Sequence, residues 1–225
     1  MSPPLHHSRV FDLAAWPYDL VTAQDTWRES CRRMAALVVP GPVRLGLDLG
    51  TGPGVSAIEA ARVHVGARWI AADLSLPMLG RARARIAAAR LEPPARRPWP
   101  VAADAFALPL RDGAVDAVTA HSLFYLLPSR APALAEVRRV LRPGGTLVFL
   151  EPNPDVTALA IATFVVRNAL SPRFAASMLA WRVASRAYGR VPAARSREEV
   201  EAAGFRAAET RETLGGLGYF VVARA

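Results

Sequence analysis

Three aspartates stand where a sequence of this kind could do chemistry. Asp48 closes an apolar run in LGLDLGTGPG, just before a turn with glycines at 50, 52 and 54. Asp73 closes the next such run, RWIAAD, and Asp104 the one after it, VAAD. A glycine-rich turn between a strand and a helix lets backbone approach a nucleotide closely. The dinucleotide fingerprint G-x-G-x-x-G fails here, because Val55 occupies the place of its third glycine. An aspartate at 48 would also set negative charge beside a pyrophosphate, whereas a cationic ammonium or sulfonium suits it. Asp73 falls where ribose hydroxyls are met, and Asp104 is placed to take an adenine amino group. Three acids at successive strand ends, on the crevice side of one sheet, describe a nucleoside ligand that carries a positive charge.

Such a site needs a parallel sheet, and the chain reads as one. After an N-terminal helical segment from about Ala23 to Val39, punctuated by VPGP, apolar runs and helical stretches alternate. VRLGLDLG, RWIAAD, VAAD, AVDAVTAHS and GTLVFLEP read as five strands, too apolar to have an exposed face. GVSAIEAARVH, SLPMLGRARARIAAAR and APALAEVRRVL read as helices between them. From Val156 to Gly189 follows an apolar helical stretch broken at Ser171-Pro172. SREEVEAAGF reads as a capped helix closing at Gly204, and two last strands form a hairpin. The expectation is one α/β domain over residues 1–225, with a helical cap at 1–40 and a lid-like helical insertion at 153–195. Its sheet is Rossmann-like, seven-stranded and mostly parallel, with an antiparallel C-terminal hairpin.

These residues resemble the class I S-adenosylmethionine-dependent methyltransferases, including quinone C-methyltransferases and phospholipid N-methyltransferases. LDLGTGPG is similar to the family's first motif, AADLSLPML to its second, and ADAFALPLRDGAVDAVTAHSLFYLL to its third. EVRRVLRPGGTLVFLEP resembles the helix-turn-strand that follows. The resemblance implies S-adenosylmethionine as cofactor, its methionine part against Gly50, Thr51 and Gly52. Asp48 would orient the turn's amides or the ammonium. Asp73 would hold both ribose hydroxyls, with Leu74 and Met78 against the adenine and Asp104 and Ala105 at its edge. His121 and Ser122 would border the methyl group, His121 as a base or through its backbone alone. Tyr18 would fold over the cofactor, and Arg28 would reach its carboxylate or remain a solvated helix arginine. Glu151, at the end of the fifth strand, would meet substrate or cap structure. No spacing among the four histidines makes a metal site.

Composition narrows the function classes. All 28 basic residues are arginine, which excludes a Walker-type phosphate lysine and a Schiff-base lysine. A single cysteine, Cys31, cannot close an internal disulfide and fits a reducing cytoplasm. The N-terminal stretch lacks a basic start followed by an apolar core, so cytoplasmic placement is expected. A net charge of +9 favours anionic surfaces. An RNA methyltransferase would share the cofactor motifs. However, HSLFY follows the fourth strand in place of an Asn/Asp-Pro-Pro-aromatic element, and no aromatic-basic patch appears. A non-catalytic binding protein would have no need for all three acids. The expected acceptor is a small apolar or lipid-like molecule: a quinol, a phospholipid amine or a natural product. The arginines at 167, 173, 182, 186 and 190 face solvent or rest on the inner face of an anionic membrane.

Overall fold

A computed structural model describes residues 24–39, 41–91 and 96–225. Helix α1 (Asp25–Ala36) precedes β1 (Leu45–Leu49), α2 (Val55–Val63), β2 (Arg68–Asp73), α3 (Leu76–Ala88) and β3 (Trp99–Ala102). Then come β4 (Val115–His121), a 3-10 turn (Phe124–Leu126), α4 (Arg130–Val140) and β5 (Leu141–Pro152). The chain ends with α5 (Ala158–Arg167), α6 (Pro172–Tyr188), α7 (Ala193–Ala202), β6 (Arg206–Thr213) and β7 (Gly218–Arg224). The seven strands lie in the order β3-β2-β1-β4-β5-β7-β6. β1 to β5 pair in parallel, and β7 runs antiparallel to both β5 and β6.

Alternation along each strand divides the core in two. Val148 and Leu150 of β5 join Trp27, Met34, Ile58, Phe174 and Met178 on the face covered by α1, α2, α5 and α6. Leu147 and Phe149 join Leu134, Val137 and Val200 on the face covered by α4 and α7. The strand order reverses between β1 and β4, so the chain leaves these neighbours in opposite directions and opens a crevice at their C-terminal ends.

Local boundaries follow side-chain chemistry. The break at 171 is a cap: the Ser171 hydroxyl accepts from the Phe174 N–H and Pro172 opens α6. α7 departs from the sequence expectation. It starts at Ala193, three residues before Ser196, because the Ser196 hydroxyl is fully buried and bonds inward to Tyr219 and Arg130. β3 starts at Trp99, two residues before the expected strand.

Candidate active site

The glycine turn sits at the reversal of strand order. Gly50 has φ +67°, and a Cβ there would stand 2.8 Å from the Leu123 side chain. At Gly54, φ is +85° and a Cβ would meet Ala82 of α3 at 3.1 Å. Glycine at 50 thus lets Leu123 pack directly on the turn, and glycine at 54 lets α2 pack against α3.

Asp48 is fully buried, and its two oxygens accept from the hydroxyls of Ser56 on α2 (2.6 Å) and Thr119 on β4 (2.8 Å). It ties both walls of the crevice to β1 from beneath. Burial pushes its carboxyl up to about 6, against the pull of the Ser56, Thr51 and Thr119 hydroxyls. Asp73 does touch the turn: Oδ2 accepts the Gly52 N–H at 2.7 Å and Oδ1 the Ser75 N–H at 2.9 Å. Leu74 beside it is 54% exposed, whereas Met78 is buried in the packing of α3. Of the two residues expected against the adenine, Leu74 is thus open to contact and Met78 is not. Asp104 Oδ1 accepts the Phe106 N–H, holding a tight turn over the buried Ala105.

His121 ends β4. Its imidazole is bracketed by two hydroxyls, Ser30 at 3.3 Å from Nε2 and Ser122 at 3.2 Å from Nδ1. The Trp27 ring meets it edge-on, with centroids 5.7 Å apart. Burial pushes the imidazole down to about 4, so it is neutral at physiological pH. Ser122 has φ +61°, a left-handed conformation that a serine rarely adopts, and its N–H donates to Leu150 O. The chain therefore turns sharply after His121, and the turn brings Leu123 over Gly50.

Trp27 and Ser30 lie on the buried face of α1 and were not singled out by sequence reasoning. Their i,i+3 spacing beside other buried positions was legible, but what they would meet depends on residues more than ninety positions away. Trp27 Nε1 donates to the Ser177 hydroxyl of α6, and its ring packs against Phe174 and Trp181. α1 and α6 thus close one side of the crevice together. Beyond Ser30 lies a cavity of about 190 Å³, lined among others by Thr26, Arg33, Phe164, Leu170 and Leu214.

Arg28 is half-buried and pairs along the helix with Asp25 at 3.8 Å. Tyr18 lies outside the described residues. Glu151 is fully buried on the α4 face of the sheet, with Arg130 Nη1 at 3.6 Å. Arg130 also meets Glu199 of α7 at 3.1 Å and lies over the Phe124 and Phe149 rings. Burial pushes Glu151 up to about 7, against the Arg130 charge. By strand alternation its side chain lies on the sheet face opposite that of Leu150.

Comparisons with known proteins bear on the fold and the family. The family described as Methyltransferase domain matches residues 47–149. A demethylmenaquinone methyltransferase from Thermus thermophilus is 38% identical over 68% of this chain and 69% of its own length. One from Mycobacterium marinum is 35% identical over 69% of this chain, a match that spans 63% of that relative. Among solved structures, a SAM-dependent methyltransferase from Aquifex aeolicus superposes with a TM-score of 0.64 at 17% identity, covering 100% of this chain and 99% of that one. Phosphoethanolamine N-methyltransferase 2 from Haemonchus contortus, in complex with S-adenosyl-L-methionine, gives 0.69 at 16% identity over 96% of this chain and 59% of its own. At these identities the solved structures share the fold.

Proposed function

The chain belongs to the S-adenosylmethionine-dependent methyltransferases of the Methyltransferase domain family, and from that premise we propose that it methylates a quinol or similarly lipid-like acceptor in the crevice beside His121. The observation that carries the reading is a single alignment. The Gly50–Gly54 turn, Asp73, Asp104 and His121 stand at the C-terminal ends of four adjacent strands.

The residues present fit the cofactor. The glycine turn, on which Leu123 packs at Gly50, would take the methionine part against Gly50, Thr51 and Gly52. Asp73 holds the ribose hydroxyls while its other bonds fix the turn, with Leu74 against the adenine and Asp104 and Ala105 at the adenine edge. When bound, S-adenosylmethionine supplies an activated methyl group and departs as a neutral thioether. What remains for the protein is alignment, exclusion of water and care of the acceptor's proton.

A neutral imidazole at 121, oriented by Ser30 and Ser122, is able to accept that proton. The cavity beyond Ser30 seats part of the acceptor, with Phe164, Leu170 and Leu214 as its apolar wall. The relatives' names support a quinol, and α5 and α6 serve as a lid through which a molecule from an anionic membrane would enter. Among the described residues no helix is long and apolar enough to cross a membrane, so such contact would be peripheral.

Two measurements test the reading. Calorimetry should show binding of S-adenosylmethionine and its demethylated product but not of NAD; binding of NAD alone overturns it. Labelled cofactor should then transfer methyl to a demethylated quinol or a lipid extract and not to bulk RNA. Label in the RNA alone would make the nucleic-acid reading the better one.

A further inference from the structure

The outer face of α6 carries exposed aliphatic and arginine side chains together. Leu179, Arg182, Val183 and Arg186 follow one another at i, i+3, i+4 and i+7, so they share one side of the helix. Leu179 is 43% exposed and Val183 66%. Arg190 follows just beyond the helix end.

Two of these arginines are fastened inward, a departure from the expectation that all face outward. Arg182 Nε donates to Val156 O at 2.9 Å and Arg190 Nη1 to Asn153 O at 3.4 Å, both on the segment after β5. Those carbonyls fix the guanidiniums in place without neutralising them.

Elsewhere the fold gives half-buried arginines carboxylates: Arg139 meets Asp112 and Glu136, Arg142 meets Asp116, and Arg32 meets Glu59. Among the described residues no carboxylate lies within ion-pair distance of Arg182, Arg186 or Arg190. Burial holds Arg190 below the usual guanidinium range, and the charges of Arg182 and Arg186 push the same way, with Asp155 acting against them. No ion pair thus neutralises these three neighbouring charges, Asp155 acting on Arg190 only from beyond ion-pair distance, while aliphatic side chains project beside them.

We propose that this face of α6 is a docking surface for an anionic phospholipid layer, with headgroup phosphates taken by Arg182, Arg186 and Arg190 and with Leu179 and Val183 entering the acyl boundary. Guanidinium forks match phosphate oxygens, and the fixed side chains lose little freedom on binding. The apolar pair argues for lipid over nucleic acid, which offers aliphatic side chains no comparable partner. The site deepens the lipid-like reading of the acceptor. It would hold the α5–α6 edge of the crevice against the membrane from which such an acceptor comes.

Sedimentation of the full chain with phosphatidylglycerol vesicles and with phosphatidylcholine vesicles tests this. Binding is expected to the first alone and to weaken with salt. Arg186→Gln, at an exposed side chain with no partner among the described residues, should weaken it about fivefold, equivalent to about 1 kcal/mol. Val183→Ser should also weaken it. Arg197→Gln on α7, across the sheet, removes the same charge and should leave vesicle binding within twofold of the parent. Equal effects of the two arginine changes, or equal binding to both vesicles, overturn the proposal. So does binding of glycerol phosphate or duplex RNA without binding of vesicles. Calorimetric affinity for S-adenosylmethionine and methyl transfer to detergent-solubilised quinol should be unchanged in Arg186→Gln. If the parent chain binds S-adenosylmethionine and methylates solubilised quinol but does not sediment with phosphatidylglycerol vesicles, the docking surface is removed and the methyltransferase reading stands.

Discussion

The Ser30 hydroxyl on α1 lies 3.3 Å from Nε2 of His121 at the end of β4. This contact joins the first described helix to the strand beside the glycine turn, and with Trp27 it fixes the ring against rotation. An imidazole whose protonation falls near 4 is a neutral base throughout the range in which the protein would work. A base weakened to this degree contributes at the low end of general base catalysis, so His121→Ala is expected to lower kcat by about 10²-fold, with cofactor affinity changed little. Ser30→Ala should lower kcat less and alter its pH profile, because the ring loses one of its two hydroxyl partners. An undiminished rate for His121→Ala at saturating acceptor would leave His121 a backbone contact only.

Asp73 combines two tasks, and its substitution separates them. Its carboxylate fixes Gly52 and Ser75 through their amides, and the proposed ribose bonds would be charge-assisted. Losing such bonds costs roughly 1.5–3 kcal/mol each, so Asp73→Ala should weaken S-adenosylmethionine binding at least tenfold. Asp73→Asn, which retains an oxygen for the Gly52 N–H, should recover part of the loss. Titration calorimetry on both folded variants decides the matter, and unchanged affinity in the alanine variant would remove the ribose assignment.

The sheet was legible because its strands are buried on both faces and read as continuous apolar runs bounded by glycine and proline, as at RWIAAD and LVFLEP. The acids closing them were legible for the same reason. What stayed hidden depends on contacts across the chain. Nothing local told that Asp48 would give both oxygens to Ser56 and Thr119, or that Glu151 would face Arg130 on the far side of the sheet. Ser196 reads as a cap in SREEVEAAGF; only the proximity of Tyr219, 2.7 Å away, shows why its hydroxyl is used elsewhere. Arg182 and Arg190 likewise read as solvated until the carbonyls at 156 and 153 are placed beside them.

Glu151 gives stability an unusual pH dependence. Its folded pKa, raised by burial to about 7, lies above the ordinary carboxylate value of 4.5. Between these values the folded state holds a proton that the unfolded state has released, so this residue's contribution falls as pH rises and is level above about 7. Asp48, raised to about 6, acts with the same sign over a lower window, and His121, lowered to about 4, acts with the opposite one. Thermal unfolding of Glu151→Gln between pH 5 and 8 should therefore show a shallower decline toward high pH than the parent. An identical slope in both proteins would show that Arg130 keeps Glu151 ionised across the range.

Gly50 offers the most direct test of the crevice itself. A substituted residue there must adopt φ +67° and also displace Leu123, whose Cδ1 stands 2.8 Å from the new Cβ. The left-handed backbone alone costs a non-glycine residue about 1–2 kcal/mol. The far end of Leu123 can turn aside, but its Cβ, 3.1 Å from the new methyl, must also shift, and it follows directly on the left-handed Ser122 at φ +61°. Gly50→Ala should thus lower the melting temperature by several degrees and, in protein still folded, weaken S-adenosylmethionine binding more than tenfold. Gly144→Ala provides the control. It also has a positive φ, of +74°, but a Cβ there meets nothing within 4 Å. It should lose comparable backbone stability and bind the cofactor as the parent does. Equal loss of binding in both variants would mean that backbone strain alone, and not displacement of Leu123, accounts for the Gly50 effect.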